Sequence, residues 1–148
     1  MAKRHGIVGS RDFPSRRAVQ NFVASLSPDT IIVSGGAAGV DSWAVETARL
    51  RGMKTKVFEA DWRRFGRKAG PLRNAQIVRA IDELAAFWDG ESRGTLNTVA
   101  LAASVDIPVT VFDREGAPLP LPQVLQTAHD CGVTAAIERV RRGQAKPR

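Results

Sequence analysis

Short apolar runs alternate with amphipathic stretches along most of this chain. His5-Gly6-Ile7-Val8-Gly9 predicts a first strand, and Ala18, Val19, Phe22, Val23 and Leu26 then fall at helical spacing between Ser15 and Leu26. Pro28-Asp29 turns the chain into a second apolar run, Ile31-Ile32-Val33, which breaks into glycines before a helix from Val40 to Arg51 that stops at Gly52. Lys54 to Phe58 predicts a third strand. Glu59 to Gly70 is polar, basic and without a period, so a loop is expected there. A helix from Pro71 to Ala80 follows, since proline suits a first helical turn. Leu84 to Trp88 predicts a buried strand, Arg93 to Ser104 a small-residue helix, and Ile107 to Phe112 a fifth strand with its proline near the start. Gly116 to Pro122 is a stiff connector leading to one or two helices that end by Arg142.

Strands that alternate with helices in this way make a parallel sheet covered on both faces. The expected fold is therefore α/β, a Rossmann-like three-layer α/β/α sandwich with a mainly parallel sheet of about five strands and a C-terminal helical tail. Residues 1–115 form the Rossmann-like unit in this reading. Residues 116–148 form a helical extension packed on the same domain, with a basic end expected to fray.

Length and composition narrow the partners. At 148 residues and 43% hydrophobic, the chain suffices for one domain with a real core. It carries no apolar run of membrane-spanning length, and Met1-Ala2-Lys3-Arg4 leads into a strand rather than a signal-peptide core, so a cytoplasmic protein without a membrane partner is expected. One cysteine, Cys131, and two histidines, His5 and His129, make a metal site of Cys and His unexpected, and nothing calls for a cofactor. The net charge of +7 suits a polyanion or a phosphorylated partner. Its cations gather in Arg63-Arg64-Phe65-Gly66-Arg67-Lys68, with Arg73 just after, and in the tail from Arg139 to Arg148, where a solvated end is favoured over a nucleic-acid arm. Ala128 to Thr134 has the look of a helix-turn-helix turn, but so short a stretch lacks the supporting helical core, and a terminal helix packing on the sheet or on a second subunit is expected instead.

Candidate chemistry lies at the strand ends, because ligands of open parallel sheets bind outside the carboxyl edge. Three strands end in suitable loops: Gly9-Ser10-Arg11-Asp12-Phe13, Ser34-Gly35-Gly36-Ala37-Ala38-Gly39-Val40-Asp41, and Asp89-Gly90-Glu91-Ser92-Arg93-Gly94-Thr95. Gly35, Gly36 and Gly39 permit close backbone approach, and Ala37 and Ala38 keep the wall low, so that amides at the helix start can cup a phosphate. Gly94 and Thr95 offer the same at a later helix start, while Ser10 and Arg11 supply a hydroxyl and a cation. Asp41 either accepts from sugar hydroxyls or only favours the start of its helix through the dipole. Arg73, beside Asn74 in a first helical turn, can clamp a phosphate or carboxylate with two parallel bonds. Trp62 in a polar loop is placed to stack on a base, whereas Trp43 and Trp88 lie in apolar runs and belong to the core.

Several of these blocks, with Ala60-Asp61-Trp62, Gly66-Arg67-Lys68-Ala69-Gly70-Pro71-Leu72-Arg73-Asn74 and Phe87-Trp88-Asp89-Gly90, resemble the small bacterial and phage SLOG-domain proteins of the YspA type. That superfamily also holds the DNA-processing protein DprA and the LOG phosphoribohydrolases, often mislabelled lysine decarboxylases. The resemblance spans about residues 5 to 112. It implies a Rossmann-like domain that binds nucleotides or their derivatives, commonly as a homodimer or higher homo-oligomer. In LOG enzymes an arginine and the glutamate of a Gly-Gly-x-Gly-Thr-x-x-Glu motif support cleavage of a base–ribose bond. Arg73 matches the arginine, but Thr98 stands where the glutamate would be, and a threonine cannot act as a carboxylate base. Binding of a phosphoribosyl ligand, to sense or sequester it, is therefore the expected function. The alternatives are hydrolysis of nucleoside 5′-monophosphates, with Arg73 holding the ligand and Glu91 or Asp89 as acid, and DprA-like binding of single-stranded DNA, with nucleic acid the less expected partner.

Overall fold

The computed structural model describes residues 2–145, and the last basic residues of the tail, 146–148, lie outside the described residues. Six strands form one sheet in the order β3-β2-β1-β4-β5-β6: β1 (Arg4–Gly9), β2 (Ile31–Gly35), β3 (Thr55–Phe58), β4 (Glu83–Phe87), β5 (Val109–Phe112) and β6 (Pro118–Leu119). The first five are parallel, and β6 pairs antiparallel with β5. Strand order reverses between β1 and β4, so the loops leaving their carboxyl ends diverge to opposite faces and open a crevice between them.

Side chains alternate across the sheet, which gives it two cores. Ile7, Ile32, Ala85 and Phe87 face one way, against Val19 and Val23 of α1 (Arg16–Ser25) and Val40, Ala44 and Ala48 of α2 (Val40–Leu50). Val8, Val33, Leu84, Ala86 and Val111 face the other way, against α4 (Ala69–Arg79), α5 (Arg93–Ser104), α6 (Leu121–Asp130) and α7 (Val133–Ala145). Phe87 is the hub of the first core: its ring meets Phe13 and Phe22 edge-on and stacks on Phe112 at 4.8 Å. Helix starts follow the sequence signals, with the Ser15 hydroxyl accepting from the Ala18 N–H and Ser92 accepting from Thr95.

Two expectations need correction. The segment from Glu59 to Gly70 is not a loop throughout: it holds a one-turn helix, α3 (Trp62–Phe65), a 3₁₀ turn over Gly66–Lys68, and the first two residues of α4. Asp61 caps α3 by accepting from the Arg64 N–H, and Gly66 ends it at a φ of 55°; a single turn is too short to show a hydrophobic period. The connector after Gly116 is also more than a spacer, because Pro118 and Leu119 add a sixth strand. The chain reverses there as Asp113 accepts from the Glu115 and Ala117 N–H groups and Gly116 takes a φ of 81°. Proline is tolerated on such an edge. Two helices follow, and both α6 and α7 pack on α5. Trp88 is buried as expected, while Trp43 is half-buried against the first core. Among the described residues no helix is long and apolar enough to cross a membrane.

Candidate functional site

A cleft of about 680 Å³ opens over the carboxyl ends of β1 and β4. Its walls come from Gly9, Arg11 and Asp12 after β1, from Asp89 and Glu91 to Thr95 after β4, and from Gly70, Pro71, Arg73 and Asn74 at the start of α4. A smaller compartment of about 330 Å³ adjoins it, formed by Gly36, Ala37, Ala38, Glu59 and Ala60. Arg11, Ala37, Trp62 and Arg73 border both. Val133 and Ala136 of α7 close part of the larger one.

Arg73 is held from one side. Its Nε donates to Asn74 Oδ1 at 3.2 Å, and Asn74 Nδ2 donates in turn to Asn97 Oδ1 at 2.9 Å, tying α4 to α5. The two terminal nitrogens are thereby left for the cleft, and one reaches over Gly35, where a Cβ would lie 2.5 Å from Arg73 Nη1 and 2.6 Å from Asp41 Oδ2. Only glycine leaves room there for a cation and a carboxylate to approach across the strand end.

Asp41 is buried, at 4% exposure. Its carboxylate accepts from the Ala37 N–H, and burial pushes its pKa up to about 6 against the pull of Arg73 and of backbone N–H groups at Ala37, Gly9 and Gly35. The loop amides expected to cup a phosphate are thus turned partly toward the protein's own carboxylate. Because the folded value lies above the ordinary one, the folded chain holds an extra proton, and the associated stability is full below the ordinary value and lost as pH rises through about 6. The size of that loss is about 3 kcal/mol. Asp41→Asn removes it, so the stability difference between variant and wild type in urea unfolding is expected to move by about that amount in the variant's favour between about pH 4 and pH 8; a pH-independent difference would contradict the assignment.

Other polar groups serve the scaffold. The Ser34 hydroxyl is fully buried and donates to the Ile7 carbonyl, so it braces β2 on β1 and does not reach the cleft. Ser10 Oγ lies 3.2 Å from Thr95 Oγ1 and accepts from the Asp89 N–H, which pins the ends of β1, β4 and α5 together; only Thr95 of the pair lines the cleft. Gly39 takes a φ of 83° and packs against the Arg11 backbone, behind the cleft wall. Asp89 accepts from the Glu91 and Ser92 N–H groups. Partial burial works to raise its pKa, but those N–H groups and the Ser10 hydroxyl together hold it below the ordinary carboxylate value. Thr98, at the position of the LOG glutamate, is buried with its hydroxyl donating to the Gly94 carbonyl. Glu91 is exposed at the cleft rim.

The structure thus brings Gly9, Arg11, Gly36, Ala37, Asp41, Trp62, Arg73, Asn74, Glu91, Gly94 and Thr95 to the two compartments, with Gly35 directly beneath Arg73 and Asp41. Asn97, Arg93 and Glu59 join them without having been singled out in the sequence. Asn97 had no local signal, since its role depends on α4 lying beside α5.

This geometry defines the class, a Rossmann-like α/β protein with a cleft at the strand-order reversal. The family model for DNA recombination-mediator protein A matches residues 1–61. The Gene 61 protein of Mycobacterium phage D29 is 38% identical over 116 residues, covering 72% of this chain and 93% of that protein. The X-ray structure of DNA processing protein A (DprA) from Streptococcus pneumoniae superposes with a TM-score of 0.63 at 22% identity, over 76% of this chain; the chain spans 50% of that protein's length. The chain belongs to the same family as the Gene 61 protein, and its first 61 residues are similar to DNA recombination-mediator protein A.

Proposed function

We propose that this protein binds a nucleotide unit in the cleft, with its phosphate between Arg11 and Arg73. The observation that carries the reading is Arg73: a guanidinium oriented by the Asn74–Asn97 pair, bordering both compartments, with its terminal nitrogens free for a bidentate bond. The lining supports a small ligand over a polyanion. Arg11, Arg73 and Arg93 face Asp12, Asp41, Asp89 and Glu91, a mixed field that suits one phosphate beside hydroxyl and amino donors and repels a continuous phosphate backbone. Exposed Trp62 at the shared rim offers a stacking face for a base. The lack of a carboxylate at Thr98, and the commitment of Asp89 to its own turn, favour recognition over hydrolysis. Calorimetric titration with the ribonucleoside 5′-monophosphates, with release of free base followed in parallel, is expected to give saturable binding without turnover. No binding by any of them would defeat the proposal.

A second reading rests on a separate feature, the α3 segment and the 3₁₀ turn after it. Arg63, Arg64, Arg67 and Lys68 are all exposed there beside exposed Trp62 and Phe65, a basic patch with two stacking rings. Together with the match to the DNA recombination-mediator family model, it supports contact with single-stranded DNA at the cleft rim. Anisotropy with a labelled oligothymidylate is expected to show binding that weakens steeply with salt, and replacing the four cations by alanine should reduce the slope of log K against log salt by about 3. An unchanged slope would remove this surface from consideration.

A further inference from the structure

Glu59 is the residue in this site that neither the glycine loop nor the resemblance accounts for. It follows directly on β3, the parallel neighbour of β2, and so stands at the carboxyl edge of the sheet beside the loop that leaves β2. Its side chain lies over that loop: a Cβ on Gly36 would be 2.7 Å from Glu59 Cγ and 3.1 Å from Oε1. Among the described residues it forms no ion pair, although Arg11 and Arg73 border the same compartment. An exposed carboxylate free of partners, placed over backbone glycine in a compartment that cations also line, would repel a phosphate set directly on Gly36. It can accept two hydrogen bonds from a neutral donor pair there.

The vicinal hydroxyls of a ribose are such a pair. The arrangement of a strand, a glycine loop, a helix and an adjacent parallel strand ending in an acid is the one by which dinucleotide folds hold a ribose through its 2′-hydroxyl. Here the acid comes 20 positions after Gly39, the spacing found in those folds. We infer that Glu59 is the specificity-determining residue of the cleft, accepting hydrogen bonds from the ribose diol and thereby selecting ribonucleotides over 2′-deoxyribonucleotides. The inference rests on the nucleotide-binding reading and goes beyond it, because it names the sugar and sets the cleft apart from any contact with DNA at the α3 surface. The phosphate then lies between Arg11 and Arg73, where the two compartments meet. The ribose takes the smaller compartment, within reach of the Trp62 ring for its base.

A site built to bond a hydroxyl discriminates strongly against an analogue that lacks it, because its polar group is then left desolvated and unpaired. Each ribonucleoside 5′-monophosphate and its 2′-deoxy counterpart are titrated calorimetrically into wild type, Glu59→Gln and Glu59→Ala, with folding checked by circular dichroism. Wild type is expected to prefer the tightest-binding ribonucleotide over its deoxy form by about tenfold or more. Glu59→Ala should bring that ratio to within about twofold by weakening the ribonucleotide alone, and Glu59→Gln, which keeps one acceptor oxygen, should fall between. Equal affinity of wild type for the two sugars, or a preference that survives Glu59→Ala, overturns this inference while leaving nucleotide binding intact. Failure of every nucleotide to bind wild type overturns both.

Discussion

Arg73→Ala is expected to weaken nucleotide binding about a hundredfold while leaving the fold intact, as read by calorimetry and circular dichroism. The cation sits half-buried at the border of both compartments, so the substitution takes away together the fork and the charge that would hold the proposed phosphate. Arg73→Lys tests the geometry separately. Lysine restores the charge but not the planar fork, and it cannot keep the Nε bond to Asn74, so about a tenfold loss is expected to remain. The Asn74–Asn97 bond survives in both variants, which keeps α4 docked on α5. The same substitution strips Asp41 of the cation that draws its pKa down, so the acid becomes still harder to ionise. Binding by Arg73→Ala with wild-type affinity would show that the ligand lies elsewhere.

The second large effect is on stability, and it comes from the residue where fold and site meet. Gly9 ends β1 opposite Phe87, and a Cβ there would lie 2.6 Å from Val40 Cγ2 and 2.7 Å from the Phe87 carbonyl oxygen. The first contact pushes on the start of α2. The second is with backbone, which cannot yield without parting the two central strands. Gly9→Ala is therefore expected to destabilise the protein by about 3 kcal/mol in urea unfolding. Gly94→Ala is the internal contrast: on α5 its nearest neighbour would be Ser92 Oγ at 3.9 Å, and an alanine in a helix with open space should be neutral or stabilising by about 0.5 kcal/mol. Equal effects of the two substitutions would mean that the crowding at Gly9 is not real.

Local patterns read well in this chain where they were long. Helix α5 lies where its small-residue stretch placed it, and the structure adds that the Ser92 hydroxyl caps its start. The short elements were not. A one-turn helix and a two-residue strand are too brief for any period, although Asp61 three residues before its capped N–H, and an Asp113-to-Gly116 turn, were local signals of both. Candidate site residues divide along a similar line. Loops that must leave the carboxyl ends of parallel strands were recognisable from glycine and position alone, and so was the helix that carries Arg73, although it begins at Ala69 and sets Arg73 in its second turn rather than its first. Which polar side chain points into the opening was not legible. Ser34 and Ser10 have the right chemistry at the right strand ends, yet neighbouring backbone and hydroxyl groups take up their bonding capacity.

By itself the sequence determined the layered α/β architecture and the edge of the sheet where the cleft opens, since period-two runs, helical faces and glycine-bearing strand ends are encoded within a few residues of each other. Tertiary structure decided the content of that site. Pairing β1 with β4 opens the cleft, laying α4 across β2 carries Arg73 over Gly35, and pairing β3 with β2 sets Glu59 over Gly36. Each of these joins segments more than twenty residues apart, and such contacts follow from strand order, which no local pattern of apolar and polar positions records.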